Sequence, residues 1–379
     1  MVDLLFTTDA FAPHGHPRPG VPMLLDREMR LIEPACAWLL HIALVRGRTR
    51  SRQTWRTYGE VLYDWWQTLE ANGWAWDEVG TREIAAYRDH MLQHASGHTG
   101  RPYARSTING RLRILSVFYR WCVGGGLVDH APFQSSELAL GRHRPAGFLA
   151  HVDASGGVQT VNDLTVRHRL TLPRPLAPDS IRRITADIPA RNRLIVEWAV
   201  TTGVRRMEIA GIPLSTLPKG GVQPMTAVRI DVTKRAKARH VYPPSPLLDR
   251  TWAYVREERA SVVRRAKARD PSYAEPDRLF LTGKGAALTP RRIGAMFAEA
   301  AERAGVTAHF HALRITFASV MLRFLQRQAA RGADLNPLLT LQTLLGHADL
   351  ATTSIYLRVV ATDLSVIETS VDELYEALL

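Results

Sequence analysis

Six side chains of four chemical types stand in four short segments of this chain, and together they could break and remake a phosphodiester. The first segment is Thr202-Gly203-Val204-Arg205-Arg206-Met207-Glu208-Ile209, and the second is Thr233-Lys234-Arg235-Ala236-Lys237-Ala238-Arg239. The third is His311-Ala312-Leu313-Arg314, and the fourth is Leu344-Leu345-Gly346-His347, with Tyr356 nine residues after the histidine. Two arginines can hold the non-bridging oxygens of a phosphate through forked donors. Charge grows on those oxygens in a pentavalent transition state, so fixed donors there lower the barrier. A phenol can attack the phosphorus, and its phenolate is stable enough to leave again, which makes the covalent link reversible. Histidine can take or share the phenol's proton, and lysine can return one to the departing oxygen. Side-chain cations do a metal's work in such a site, and no carboxylate cluster or Cys/His quartet suited to a metal stands out. Each piece alone has a plainer reading: a surface arginine, a solvated helix face, a core tyrosine, a helix C-cap at Gly346. The case rests on the combination.

Those residues need a scaffold, and the hydrophobic pattern is mainly helical. Residues 1–25 read as a flexible arm and 26–47 as a helix with Leu31, Ala35, Trp38, Leu39 and Ile42 on one stripe. Trp55, Tyr58, Leu62, Trp65, Trp66 and Leu69 mark an amphipathic helix that Asn72-Gly73 ends. Thr81 is the expected cap of a third helix, with Ile84, Tyr87 and Met91 behind it, and Ser106 that of a fourth, which Gly124-Gly125-Gly126 stops. Residues 136–175, rich in Gly, His and Pro, read as a linker with a small hairpin around Gly156-Gly157. Beyond Pro178 the pattern is helical again, with strands at 227–232 and 239–242, a helix over 248–267 and a short strand at 279–281.

The chain has 379 residues and 46% hydrophobic residues, enough for two or three domains with real cores. Lys and Arg number 49 against 36 Asp and Glu, a net charge of +13 that points to a polyanionic partner. Cys36 and Cys122 sit among apolar residues and read as core thiols in a reducing cytoplasm. The first 25 residues lack the apolar run of a signal peptide, and the apolar stretch Ala35–Val45 is too short to span a bilayer. The expectation is a soluble cytoplasmic protein without a membrane partner.

In its four segments the chain resembles the tyrosine recombinase, or phage integrase, family. The surroundings of Arg205 resemble the family's Thr-Gly-Leu-Arg-x-x-Glu-Leu box, with Glu208 as the supporting acid. The turn from Thr233 to Arg239 looks like the β-hairpin that bears the family lysine; Lys234 fits best and Lys237 is the alternative. His311-Ala312-Leu313-Arg314 matches the His-x-Leu-Arg box, and Leu344 to Tyr356 matches the last box, including its spacing. Two positions depart: Ile315 stands where the family usually has His, and Met207 where a small residue is common.

The resemblance implies a mainly α fold with a small antiparallel β-sheet. An all-helical core-binding (SAM-like) domain at 48–135 would precede a mixed α/β catalytic domain at 176–358. An N-terminal extension (1–47), the linker (136–175) and an acidic amphipathic helix (359–379) complete the division; that helix either packs on its own domain or, as the resemblance implies, contacts a neighbouring protomer. It further implies a site-specific DNA recombinase that needs no metal, cofactor or ATP and works as a homo-tetramer on double-stranded DNA, alone or with related recombinases or accessory proteins. Tyr356 would form a 3′-phosphotyrosine, Arg205 and Arg314 would hold the phosphate with a hydrogen bond from His347, His311 would assist proton transfer and Lys234 would protonate the 5′ leaving group. The mobile-element processes of integration, excision or transposition follow as expectations. A type IB topoisomerase and a non-catalytic DNA-binding protein of the same fold are the alternatives. Candidate phosphate contacts are Arg101, Arg105, Arg111, Arg113, Arg120, Arg239, Arg264 and Arg265, with Arg256, Arg259, Lys267 and Arg269 beside the last two.

Overall fold

The hydrophobic stripes condense into separate cores. A computed structural model of the chain describes residues 2–46, 51–97, 99–139, 158–167, 172–218, 227–231, 238–347 and 350–361. The chain divides into two compact units, Met1–Leu170 and Thr171–Leu379.

The first unit is built on four helices: α1 (Glu33–Leu40), α2 (Arg52–Asn72), α3 (Thr81–Gln93) and α4 (Arg105–Gly124). Their buried faces are the stripes legible in the sequence: Trp55, Leu62, Trp65, Trp66 and Leu69 on α2, and Ile108, Leu112, Leu115, Phe118, Tyr119 and Cys122 on α4. Burying indole and phenol rings requires partners for their polar ends. Trp65 Nε1 donates to the Tyr119 hydroxyl (3.1 Å), which donates to the Trp76 carbonyl (2.8 Å). Gly73 adopts φ +66° and closes α2, as Asn72-Gly73 foretold. Thr81 and Ser106 lie inside the first turns rather than capping them; at α3 the Glu83 carboxylate takes the cap's role by accepting from Gly80 N (2.8 Å).

Two expectations for this unit need correction. Residues 1–25 are not a flexible arm: β1 (Asp3–Phe6) pairs antiparallel with β2 (Pro22–Leu25), and Val2, Val21 and Leu24 are buried in the helical core. Helix α1 starts only at Glu33, with Pro34 in its first turn, because Asp26 folds the preceding residues into a turn by accepting from Glu28 N and Arg30 N (both 2.9 Å). The linker does carry a paired hairpin, β3 (Ser135–Ala139) with β4 (Val158–Asn162), but Gly156-Gly157 lie outside the described residues. After β4 the chain docks on α4, where the Asn109 side chain clasps Val166 by both its N–H and C=O (2.9 Å each).

The second unit contains α5 (Pro178–Ala186), α6 (Ala190–Thr202) and α7 (Arg206–Gly211), then the two-stranded antiparallel pair β5 (Val228–Ile230) and β6 (Arg239–Val241). Helices α8 (Ser245–Tyr254) and α9 (Ala260–Arg269) run on through a π-helical turn at Val255–Arg259. The strand expected at 279–281 is reduced to one bridge, Leu281 to Ala287. Helices α10 (Pro290–Arg303), α11 (His311–Ala330), α12 (Pro337–Leu345) and α13 (Leu350–Ala361) follow. One apolar cluster joins α6, α7, α8, α10 and both strands around Ile195, Trp198, Ile209, Val228, Leu248 and Phe297. A smaller one joins α11, α12 and α13 through Phe317, Leu322, Leu341, Leu345 and Tyr356. Among the described residues no helix is long and apolar enough to cross a membrane.

Candidate active site

Arg205 sits where α6 ends and α7 begins. Gly203 terminates α6 at φ +64°, a conformation glycine alone adopts without strain. A Cβ there would lie 2.3 Å from Cδ1 of Phe317, so the close approach of α6 and α11 also demands glycine. Glu208 fixes the residue that follows: its carboxylate accepts from Arg205 N and from Arg205 Nη1, each at 2.7 Å. The Arg205 side chain keeps about a quarter of its surface exposed, whereas Glu208 is 1% exposed.

A buried carboxylate with one partner would be poorly compensated, and Glu208 has a second. Arg239 Nη2, from β6, reaches the same carboxylate at 2.7 Å, and its Nη1 donates to the Leu344 carbonyl at the end of α12. Burial, the largest single influence on Glu208, pushes its pKa up; Arg239 and then Arg205 outweigh it and hold the carboxyl below its ordinary value. Arg239 was expected at the DNA surface. It is 7% exposed and ties the first segment to the last, because its two terminal nitrogens are engaged by Glu208 and Leu344. Nothing in its type or position distinguishes it in sequence from the other basic residues of that turn.

Arg314 lies on the buried side of α11 and is 2% exposed. It donates to the Gly203 carbonyl, to the Leu345 carbonyl (2.7 Å) and toward His347 Nε2 (3.1 Å). Desolvation, reinforced by Arg205 and Arg239, brings its pKa down to about 9, which leaves it charged at neutral pH. His311 opens the same helix three residues earlier and shares its face. Partial desolvation and the charges of Arg314 and Arg205 push its pKa down.

His347 follows the C-cap Gly346, which has φ +61°. Its backbone N–H donates to Gln342 O (3.1 Å), and the Gln342 amide returns a bond to His347 O (3.2 Å). Its ring lies between Arg314 on Nε2 and the Thr353 hydroxyl on Nδ1, at 2.9 Å. Desolvation first, then Arg314, Arg205, Arg239 and His311, drives its pKa down to about 4, so the imidazole is uncharged at neutral pH. Tyr356, on α13, faces it with the two rings nearly parallel (12°) and their centroids 6.3 Å apart. The phenol is 4% exposed among the α11 and α12 side chains. Burial pushes its pKa up while Arg314 and Arg205 pull it back, so it rests as a neutral phenol.

Arg205, His311, Arg314, His347 and Tyr356 are thus coupled in one site by hydrogen bonds, ring contact or charge. Lys234 and Lys237 lie outside the described residues. Ile315 packs against the apolar cluster of α11 and α12, and Met207 is exposed. Sequence reasoning missed the roles of Arg239 and Thr353, and of the Gly203 carbonyl. Among the other arginines, Arg101, Arg105, Arg113, Arg120, Arg264 and Arg265 are exposed. Arg111 is not available in the same way. It pairs with Asp64, bonds the Tyr87 hydroxyl and lies 4.8 Å over the Tyr103 ring. Arg259 is 3% exposed and braces the loop at Glu275, Pro276 and Arg278. Among the described residues no group of three or more His, Cys, Asp or Glu side chains gathers as metal ligands would.

Comparison with known proteins gives a consistent answer. Residues 176–362 match the profile of the phage integrase family. The tyrosine recombinase XerD of Caulobacter vibrioides is 33% identical over 326 residues, covering 82% of this chain and 88% of the relative. The tyrosine recombinase XerC of Lactobacillus delbrueckii subsp. bulgaricus is 28% identical over 289 residues, 75% of this chain and 80% of the relative. Among solved structures, a λ integrase dimer bound to a COC′ core site aligns with a TM-score of 0.54 at 15% identity, over 84% of this chain and 94% of that one. XerH bound to a palindromic difH substrate aligns with a TM-score of 0.54 at 18% identity, over 88% of this chain and 84% of that one. The Tn1549 transposon integrase with circular intermediate DNA gives 0.53 at 16%, over 84% and 93%. At these identities the structural likeness is one of fold.

Proposed function

Because this chain belongs to the phage integrase family of tyrosine recombinases, and so is a DNA strand transferase acting at specific sites, we propose that Tyr356 is its nucleophile and that Arg205, His311, Arg314 and His347 complete the reaction centre. The observation that carries this reading is the convergence of those residues, from three segments far apart in sequence, around one buried phenol.

In this mechanism a scissile phosphate enters beside Arg205 and Arg314. Their guanidinium groups take its non-bridging oxygens and stabilise the charge that accumulates there. Arg205 is held for this by Glu208, and Arg314 by two backbone carbonyls and the His347 ring. The Tyr356 oxygen attacks phosphorus, the bond to the 5′ oxygen breaks, and a 3′-phosphotyrosine forms. His311, kept uncharged by burial and by two arginines, receives the phenol's proton. Lys234, or Lys237, delivers a proton to the 5′ oxygen. A free 5′-hydroxyl from a second strand reverses the step, so that the exchange conserves bond energy without ATP.

The substrate is double-stranded DNA, recognised at paired recombination sites, and the process is the integration, excision or transposition of a mobile element. Protomers assemble as a tetramer through the acidic segment 359–379, most of which lies outside the described residues.

The test is covalent capture. DNA flanking the gene, carrying a nick next to each candidate cleavage position, is incubated with the full chain and run on a denaturing gel. A protein–DNA adduct that Tyr356→Phe abolishes is the expected result. Salt-sensitive binding without an adduct would defeat the assignment of Tyr356.

A further inference from the structure

We infer that Arg206 is a DNA-binding residue of the reaction centre, its guanidinium seated against Gly294 so as to take a phosphate beside the one that Arg205 and Arg314 hold. The inference deepens the reading of the site given above and rests on it.

Glycine inside a helix needs a reason. It is the least favourable helix residue after proline, and Gly294 stands within α10. It is not among the glycines with positive φ, so no left-handed turn requires it. What its missing side chain makes room for is Arg206. A Cβ at Gly294 would lie 2.3 Å from Arg206 Nη1 and 3.3 Å from its Cδ and Cζ, and those are the three atoms nearest to it. The guanidinium therefore lies against α10 in the space that a side chain would otherwise fill.

This seat holds a charge that the protein itself does not use. Arg206 opens α7 and is exposed. Among the described residues it makes no hydrogen bond or ion pair. The acid of its own helix, Glu208, is buried and already bonded to Arg205 and Arg239. On α10, Arg292 pairs with Glu299 (3.3 Å), while Arg291 is exposed and, among the described residues, also without a partner. Arg291 stands three residues before Gly294, on the same face of the helix. On that face two cations thus meet solvent with no carboxylate paired to either. An arginine held in one place gives up rotamer freedom. Fixed beforehand, it loses less of that freedom when an anion binds.

The course of the two neighbouring side chains says which anion. Arg205 and Arg206 are consecutive, but Arg205 turns to Glu208 and the site, while Arg206 crosses to α10. Guanidinium groups that diverge from one stretch of backbone are poorly placed to share a phosphate. They suit neighbours on one strand, whose charges follow each other about every 3.4 Å along the duplex axis. With the scissile phosphate on Arg205, the phosphate next to it falls to Arg206. Such a contact sets the register of the strand and carries no sequence information.

The test uses the full chain on duplex DNA flanking its gene. Arg206→Met removes the charge, Gly294→Ala keeps the charge and unseats it, and a third variant combines the two. Arg206→Met should reduce the slope of log K against log salt by about 0.9, the value of one phosphate contact. On the nicked substrate each single variant should form adduct roughly tenfold more slowly, the lower end of what losing a hydrogen bond to a charged group costs. The combined variant should be no slower than Arg206→Met alone, since the glycine acts through the arginine. Gly294→Ala should melt no lower than wild type, because alanine favours a helix over glycine. Duplexes carrying one uncharged methylphosphonate, placed at each phosphate in turn, should reveal a position next to the cleavage point that weakens binding by the wild type and not by Arg206→Met. An arginine that only braced α7 on α10 would lower melting when replaced and leave the slope and the methylphosphonate pattern as in wild type. That result overturns the inference, and so does Gly294→Ala with the wild-type rate. If the wild type forms no adduct, the reading of Tyr356 fails, while the slope and the methylphosphonate series still decide the role of Arg206.

Discussion

A carboxylate buried between two arginines stabilises a fold only while it is ionised. Glu208 is in that position, with Arg239 and Arg205 holding its pKa below the ordinary 4.5 against the upward push of burial. A carboxyl whose folded pKa is depressed stabilises the native state above its unfolded pKa and loses that contribution as pH falls through the folded value. His347 has its folded pKa lowered from 6.5 to about 4, so its contribution is present above 6.5 and fades as the pH drops toward 4. Two slopes of one sign are therefore expected, the histidine's first and the carboxylate's below it. Glu208→Gln should keep the upper slope and lose the lower one. At pH 7 it should cost roughly 3–5 kcal/mol, because a buried guanidinium is left uncompensated. Urea unfolding at pH 7, 5 and 4 separates the two, and a variant as stable as wild type at pH 7 would show that the pair contributes nothing. The donors of this site were legible in sequence because Arg, His and Tyr are rare as a set at such spacings. Their acceptors were not. Arg314 and Arg239 bond to the carbonyls of Gly203, Leu344 and Leu345, and every residue has a carbonyl.

At the scale of elements, the site depends on how helices end. Helix α6 stops at Gly203, α12 stops at Gly346, and each stop delivers a functional residue within two positions, Arg205 and His347. At both stops the glycine is also a contact: a Cβ on Gly203 would strike Phe317, and one on Gly346 would lie 2.6 Å from Arg239 Cδ. Gly203→Ala combines a left-handed backbone with overpacking, about 1–2 kcal/mol for the first and 1–3 for the second. The expected loss is thus roughly 2–5 kcal/mol by chemical denaturation, with adduct formation falling as Arg205 and the Gly203 carbonyl shift. Phe317→Leu should restore part of the stability in the double variant, since only the steric component can be relieved; an absence of coupling would place the clash elsewhere. Helices with strong apolar stripes, such as α2 and α4, could be read directly, since burial follows the 3.6-residue period. The hairpin of β1 and β2 could not. Its strands are four residues long and sixteen positions separate their facing ends, Phe6 and Pro22, with Pro- and Gly-rich chain between, so no local pattern pairs them. What holds it is distant: Gly59 on α2 leaves room for Pro22, whose Cβ would be 2.4 Å from a Cβ at that glycine.

At the scale of the whole molecule, the +13 charge is a statement about DNA only if the charges reach solvent. The structure sorts the arginines, and the sorting can be measured. Each phosphate contact releases counterions, so the slope of log K against log salt falls by about 0.9 for every contact on duplex DNA. Arg264 and Arg265 are exposed on α9, and Arg113 and Arg120 are exposed on α4. Replacing one of these by Ala should reduce the slope by about 0.9 if it touches phosphate, and leave thermal stability within about 0.5 kcal/mol either way. Arg111 behaves differently in this scheme. Its charge is already spent on Asp64 and Tyr87, and its side chain is 14% exposed. Arg111→Met should leave the slope unchanged and lower stability instead, since Asp64 then keeps a charge without its cation. Binding titrations between 50 and 200 mM salt, paired with melting curves, put each arginine on one side or the other. If Arg111→Met flattens the slope as an exposed contact would, the pair with Asp64 must open on DNA. In that case the first unit would rearrange to bind, and the buried arginines would join the exposed ones as part of the electrostatic surface.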